Sequence, residues 1–129
     1  MIDYRKKDRK SSYKKILADS FAVFMLVLGV MISLYIVYGY APFGKNSLAC
    51  KDANVQYLDF FAYLKDVLRG QNRISQTFSN FLGGNNIGTF SYYLASPFNL
   101  LVIFFEKADF HIFFNLLAAL KMAMAAAFF

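Results

Sequence analysis

Residues 21–40 run for 20 positions without a charged side chain, and no other feature limits the fold as much. At a rise of 1.5 Å per residue, an α-helix of that length covers about 30 Å, the thickness of a bilayer's hydrocarbon core. Backbone amides in lipid have to be paired within the segment, which leaves helix as the one workable conformation. A transmembrane helix is therefore predicted over residues 16–40. Tyr35, Tyr38 and Tyr40 gather at its far end, as an interfacial aromatic belt would. Ahead of it, residues 1–15 hold seven Lys/Arg against Asp3 and Asp8, a net +5. The rest of the chain holds seven against six, a net +1. Charge confined to an arm beside an apolar run is a topology signal, not a nucleic-acid patch. It places the N-terminus in the cytoplasm and whatever follows Tyr40 outside. The arm itself has almost nothing to bury, so it is expected to be solvated or to lie on anionic headgroups.

Composition agrees with an α-helical integral membrane protein: 58% of the residues are hydrophobic and 16 are Phe. With one cysteine (Cys50) and one histidine (His111), neither an intrachain disulfide nor a Cys/His metal cluster can form. No cofactor is predicted. A cleaved signal is disfavoured because the apolar run exceeds the ~7–15 residues of a signal core. Ser47-Leu48-Ala49-Cys50 hints at a lipidation site, but it follows Gly44-Lys45-Asn46 instead of ending the apolar run. A retained span is the better reading.

Ala41-Pro42-Phe43-Gly44 breaks the helix and opens an extracytoplasmic loop over 41–109. Within it, residues 52–69 read as an amphipathic juxtamembrane helix. Asp52, Gln56, Asp59, Tyr63 and Asp66 make one polar stripe, and Tyr57, Phe61, Leu64 and Leu68 make the apolar one. Gly70 is its expected stop, and its apolar side is expected to lie on the outer leaflet. Residues 71–90 read as a Gly/Asn-rich loop. Gly83 and Gly88 have the outer spacing of a phosphate loop, but Thr89-Phe90 follows instead of Lys-Ser/Thr, so a nucleotide site is rejected. Asn85 and Asn86 are minority candidates for hydrogen bonds to a sugar or phosphate. Residues 91–105 are apolar but short for a span, and are expected to form a second surface helix; the alternative is a span joined to the next by a tight cytoplasmic turn at 106–109, which one Lys against two acids does not favour. Residues 110–129 are again one bilayer thick, with His111, Asn115 and Lys121 as polar members. An unpaired ammonium at the depth of Lys121 is costly, so it has to snorkel, pair or face a polar cavity. The chain ends inside an apolar segment, which reads as the N-terminal part of a larger protein.

From Tyr40 onward the chain resembles the bacterial YfhO family, large multi-pass proteins regarded as glycosyltransferases of the GT-C type. The resemblance rests on Tyr40-Ala41-Pro42-Phe43-Gly44, on Asp52-x-x-x-Gln56-Tyr57-x-Asp59-Phe60-Phe61, and on Leu82-Gly83-Gly84-Asn85-x-Ile87-Gly88. It continues through Tyr92-Tyr93-Leu94-x-Ser96-Pro97-Phe98-Asn99-Leu100 and from Leu116 to Lys121, covering roughly residues 16–129. It implies the first part of a GT-C-type multi-span fold in the bacterial plasma membrane. It also implies transfer of a sugar from a polyprenyl-phosphate carrier to a cell-envelope glycopolymer, such as a teichoic acid, on the outer face. An acidic residue in the first external loop then serves as catalytic base, and Asp52 matches that position. Such a base takes the acceptor's proton as its oxygen attacks the anomeric carbon. Gln56 and Asp59 are candidates for orienting substrate, and Lys121 for meeting carrier phosphate. A divalent metal assists some related enzymes; nothing in these residues calls for one.

Plainer readings stand beside these. Asp52 is also a good helix N-cap, Asp59 and Asp66 also suit a solvated helix face, and Cys50 and His111 need no chemistry. Two spans cannot by themselves enclose carrier, acceptor and base, so the isolated chain is expected to be inactive. The alternatives to an enzyme part are a small non-enzymatic membrane protein and a subunit of a transporter or permease. Lys121 and the break at Pro97 are the only support for the last.

Overall fold

A computed structural model describes residues 2–51, 53–73, 76–77, 84–85, 87–89, 91 and 94–129. Two long helices, α1 (Ile2–Val37) and α4 (Phe110–Phe128), pack along each other. The chain between them folds into a cap over one end. The cap contains a π-helical turn (Ala53–Tyr57), α2 (Leu58–Leu68), and strands β1 (Gln76–Thr77) and β2 (Gly84–Asn85). It continues through the single turn α3 (Ile87–Thr89) and two 3-10 segments, Pro97–Phe104 and Lys107–Asp109.

Helix α1 starts at Ile2, so the basic arm is helical and not an irregular tail. The reason is local. Lys and Arg are good helix formers, and neither Gly nor Pro occurs before Gly29. Phe24, Val27, Leu28 and Met31 are half-buried and Tyr35 is buried, which marks one stripe at helical spacing. Helix α4 answers with Asn115, Ala119 and Ala123, buried at every fourth position. Small side chains let two helices approach closely where the surroundings are as apolar as the helices themselves. The other sides of α1 stay uncovered, with Leu17 at 73% and Leu26 at 66% exposure. Among the described residues two segments are long and apolar enough to cross a membrane: Ser12–Val37, with mean hydropathy 2.5, and Lys107–Phe128, with 1.6.

The cap has a core of its own. Phe61, Leu64, Leu94, Val102, Phe110, Phe113 and Leu117 are buried together. The Phe61 ring meets Phe113 edge-on at 5.0 Å and Phe110 at 6.5 Å. Edge-to-face aromatic pairs at such distances are attractive beyond the area they bury. Helix α2 therefore turns its apolar face onto α4 and the 97–104 segment, instead of onto a membrane surface as its pattern suggested. A Phe-rich neighbour is available, and burying those side chains against it removes apolar area from water and packs it densely. Tyr63 departs from its predicted polar stripe for the same reason: its ring is buried and its hydroxyl donates to the carbonyl of Arg73. Lys65 is also buried. Its ammonium donates to the carbonyl of Phe105 and lies 5.8 Å from the centre of the Phe110 ring.

Helix α2 ends as its glycine foretold. Gly70 has φ +76°, its N–H donates to the carbonyl of Val67 at 3.0 Å, and the N–H of Gln71 donates to Asp66 at 2.8 Å. These are the two bonds of a Schellman motif, for which a left-handed residue is needed. Its start differs from expectation, because a π-helical turn precedes it and Tyr57, with no side-chain cap bond, leads in. The second expected surface helix, over 91–105, is instead a 3-10 segment with Pro97 at its first position, and Asn99 and Val102 are its buried members. Eight residues at about 2.0 Å each reach about 16 Å, half of a bilayer core, so this segment does not span one. Lys107 pairs with Asp66 at 2.8 Å and closes the cap from outside. Among the described residues of 71–90, read as loop, an antiparallel contact sets Gln76 opposite Asn85 and Thr77 opposite Gly84.

Candidate functional site at the capped end

The carboxamide of Asn115 organises the segment that leads to Asp52. It is fully buried, yet it sits in an apolar helix where an unsatisfied amide would be costly. Its Nδ2 donates to the carbonyl of Ala41 at 2.9 Å. Its Oδ1 accepts from the N–H of Leu48 at 2.9 Å and from the Ser47 hydroxyl at 3.5 Å. The Tyr35 hydroxyl donates to the main-chain carbonyl of the same residue at 2.8 Å. One side chain of α4 thus ties down the chain on both sides of the loop that leaves α1. Ser47 Oγ passes the constraint on by accepting from the N–H of Ala49 at 3.0 Å.

The loop itself is tight. Asn46 N–H donates to Gly39 at 3.0 Å, and Ala41 N–H donates to Asn46 at 2.8 Å. A Cβ on Gly44 would come within 2.2 Å of the Gly39 carbonyl oxygen, so the glycine of the Tyr40–Gly44 motif is required by close backbone approach. Lys51 adopts φ +50° as the chain turns into the π-helical segment. Cys50 is exposed.

Of the residues singled out from sequence, Asp52 lies outside the described residues. Gln56 and Asp59 are exposed, as their stripe predicted. Asn85 is described by its backbone alone, in the two-residue ladder with Gln76. Asn86 lies outside the described residues. Lys121 lines a cavity of about 270 Å³ between α2, the 97–104 segment and α4. The other walls are Tyr57, Phe61, Asn99, Phe114, Leu117 and Ala118, and the ammonium stands 3.4 Å from Asn99 Oδ1. Among the described residues no hydrogen bond or ion pair joins Gln56, Asp59 and Lys121. Gln56 does directly precede Tyr57, whose ring is a cavity wall. His111 Nδ1 lies 3.1 Å from the carbonyl of Ala108, a local contact at the start of α4.

Two polar residues of the site were not selected from sequence, Asn99 and Asn115. Both are at most 1% exposed. The available signal was the same for each: an amide inside an otherwise apolar run, which has to find partners when buried.

Two long apolar helices, one of them carrying a basic N-terminal stretch, and a cap held by buried amides define a helical membrane protein. Residues 22–129 match the family described as bacterial membrane protein YfhO, and the chain belongs to that family. No curated protein and no solved structure matches it significantly.

Proposed function

We propose that this protein takes part in glycosyl transfer on the outer face of the bacterial plasma membrane. The donor is a sugar on a polyprenyl-phosphate carrier and the acceptor a cell-envelope glycopolymer such as a teichoic acid. Family membership supports the membrane setting. The observation that carries the chemistry is the anchoring of residues 41–49 by Asn115, because a base has to be held within hydrogen-bond reach of the hydroxyl it deprotonates. In this reading α1 enters from the cytoplasm, the cap faces outward, and Asp52 is the catalytic base. Gln56 and Asp59, exposed on the turn and helix that follow, orient the acceptor, and Asn85 contributes a hydrogen bond to substrate. A single carboxylate suffices for direct displacement at the anomeric carbon, since no glycosyl-enzyme intermediate has to form.

A second reading, a non-enzymatic partner within a larger membrane complex, has one observation in its favour. A half-open cavity of about 270 Å³ lies between α2, the 97–104 segment and α4, too small for a carrier, a sugar and an acceptor together.

One experiment separates the two. In cells whose glycopolymer modification depends on this protein, Asp52→Asn is expected to lower transfer of labelled sugar by about 10²–10⁴-fold while the protein still inserts. Transfer at the wild-type rate by that variant removes Asp52 from the chemistry and leaves the partner role.

A further inference from the structure

We infer that residues 97–105 form a re-entrant wedge, seated among the phospholipid acyl chains of the leaflet at the capped end. Leu100, Leu101, Ile103 and Phe104 are its lipid-facing surface. The inference rests on the membrane setting and is independent of the transfer reading.

Depth is set by contacts with the two long helices. The bond from the Tyr35 hydroxyl to the Asn115 carbonyl puts those residues at one level, and Tyr35 is the first of the three tyrosines that end α1's apolar run. Asn99 lines one cavity with Leu117, Ala118 and Lys121, and its Oδ1 stands 3.4 Å from the Lys121 ammonium. Those residues of α4 are two, three and six positions past Asn115, so Asn99 lies about 3–9 Å beneath the tyrosine level at helical rise. Before it, Leu94 is still in the cap core. After it, the chain has climbed back by Phe105, whose ring packs on Phe113 at 5.0 Å, two positions ahead of Asn115. The segment therefore enters and leaves on one side, at a depth close to the roughly 5–10 Å that interfacial helices reach.

The two faces of the segment differ in what they meet. A 3-10 helix brings residues three apart into line, and Asn99, Val102 and Phe105 form the inner row. The first two are buried and the third is half-buried. Leu100, Leu101, Ile103 and Phe104 all stay exposed, Phe104 at 81%. These four side chains are hydrocarbon throughout, and no charged residue occurs from 74 to 105. Protein-binding surfaces favour Tyr, Trp and Arg with a polar rim, which this face lacks. Acyl chains ask for nothing else. The surface also continues one already assigned to lipid, since α4 beside it is apolar enough to cross a membrane and exposes Leu116 and Met122.

Lipid also requires that backbone polar groups find partners within the protein. Pro97 brings no N–H to satisfy. The N–H of Asn99 donates to the carbonyl of Ser96 at 2.9 Å, and that of Phe105 to the carbonyl of Val102 at 3.1 Å. The Phe105 carbonyl accepts from the buried ammonium of Lys65. Lys65 thus closes the exit of the wedge, which gives this buried cation a task that the packing of α2 alone does not. Directly beyond, Glu106 and Lys107 are exposed and return charge to the chain where headgroups begin.

The chain contains no tryptophan, so a single introduced Trp reports its own surroundings. Leu100→Trp and Phe104→Trp variants of the full chain are reconstituted into phosphatidylcholine vesicles whose lipids carry bromine high on the acyl chains or near their middle. Acrylamide is the aqueous quencher. Leu26→Trp, exposed midway along α1, is the lipid reference, and Gln71→Trp, exposed past the end of α2, is the aqueous one. Both wedge variants are expected to lose most of their emission to bromolipid, as Leu26→Trp does, and little to acrylamide. Leu100→Trp is expected to favour the deeper bromine more than Phe104→Trp, because the Asn99 end is the lower one. Quenching by acrylamide to the extent seen for Gln71→Trp puts the face in water and overturns the wedge. Quenching by neither agent means that protein covers the face, whether a second copy or another helix, and overturns it as well. Equal depth at the two positions describes a helix lying flat on the surface and overturns the re-entrant path. Substitutions at such exposed sites are expected to leave the fold intact. Ile103→Trp replaces either variant should circular dichroism show a loss of helix.

Discussion

The two ends of the molecule solve the burial problem in opposite ways. Along the lower bundle, α1 and α4 share one narrow stripe, and most of the apolar side chains face outward, with Phe21 at 63% and Phe128 at 83% exposure. At the capped end the same residue type goes inside: Phe61, Phe110 and Phe113 are each at most 3% exposed. The difference follows from the solvent each end meets. In lipid an exposed Phe costs nothing, so a pair of helices needs only close contact. Where water or headgroups begin, apolar side chains gain by turning toward each other, and the cap acquires a core resembling that of a soluble domain.

Truncating a ring tests this contrast most strongly. Phe61→Ala is expected to destabilise the cap by about 3–5 kcal/mol, read from thermal unfolding in detergent, because the neighbouring rings can only partly close the cavity. Phe21→Ala, on the outward face of α1, is expected to shift the same transition by less than about 0.5 kcal/mol. Equal effects would mean that the cap has no core distinct from the bundle.

The link between the two ends is Asn115, and it gives the next largest effect. Asn115→Ala leaves the buried Ala41 carbonyl and the half-buried Leu48 N–H without their partner, at about 1–3 kcal/mol for the carbonyl and less for the N–H. Labelling of Cys50 by a membrane-impermeant thiol reagent should then speed up as the loop loosens. An unchanged rate would show that the loop is held by its own turns.

Gly44→Ala probes the loop alone. Its new methyl would overlap the Gly39 carbonyl, so a loss of about 1–3 kcal/mol is expected, as for other over-packed sites. Lys107→Met is the smallest. It removes an ion pair whose lysine is 54% exposed, and a change within about 1 kcal/mol is expected in the same melt.

Much of this was legible beforehand, and unevenly. The first long apolar helix needed nothing beyond an uncharged run of bilayer length, and Gly70 marked the end of α2 through the φ it has to adopt. Helical periodicity also identified Phe61 and Leu64 as one apolar face. It could not say what that face would meet, and the membrane surface proposed for it gave way to α4. Tyr63 obeyed the polar spacing and still turned inward, because its ring had a place in the cap and its hydroxyl found a carbonyl. The 97–104 segment was apolar enough for an α-helix, yet a proline start and two residues anchored in the cap left it as a 3-10 turn.

The site divides in the same manner. A lysine inside an apolar run of bilayer length was visible as a cost that something has to meet, because charge in lipid is expensive whatever the fold. That Asn99 stands beside it, and that Asn115 binds both flanks of the loop before Asp52, required the tertiary structure. Sequence by itself determined the membrane setting, the helical class and the family, since all three follow from local chemistry and ordered motifs. Only packing decided which groups meet across 40 to 80 residues of chain, as the Lys65 ammonium meets the Phe105 carbonyl and the Tyr35 hydroxyl the Asn115 carbonyl. Such contacts depend on how the faces of separate elements fit, and no local run of residues carries that information.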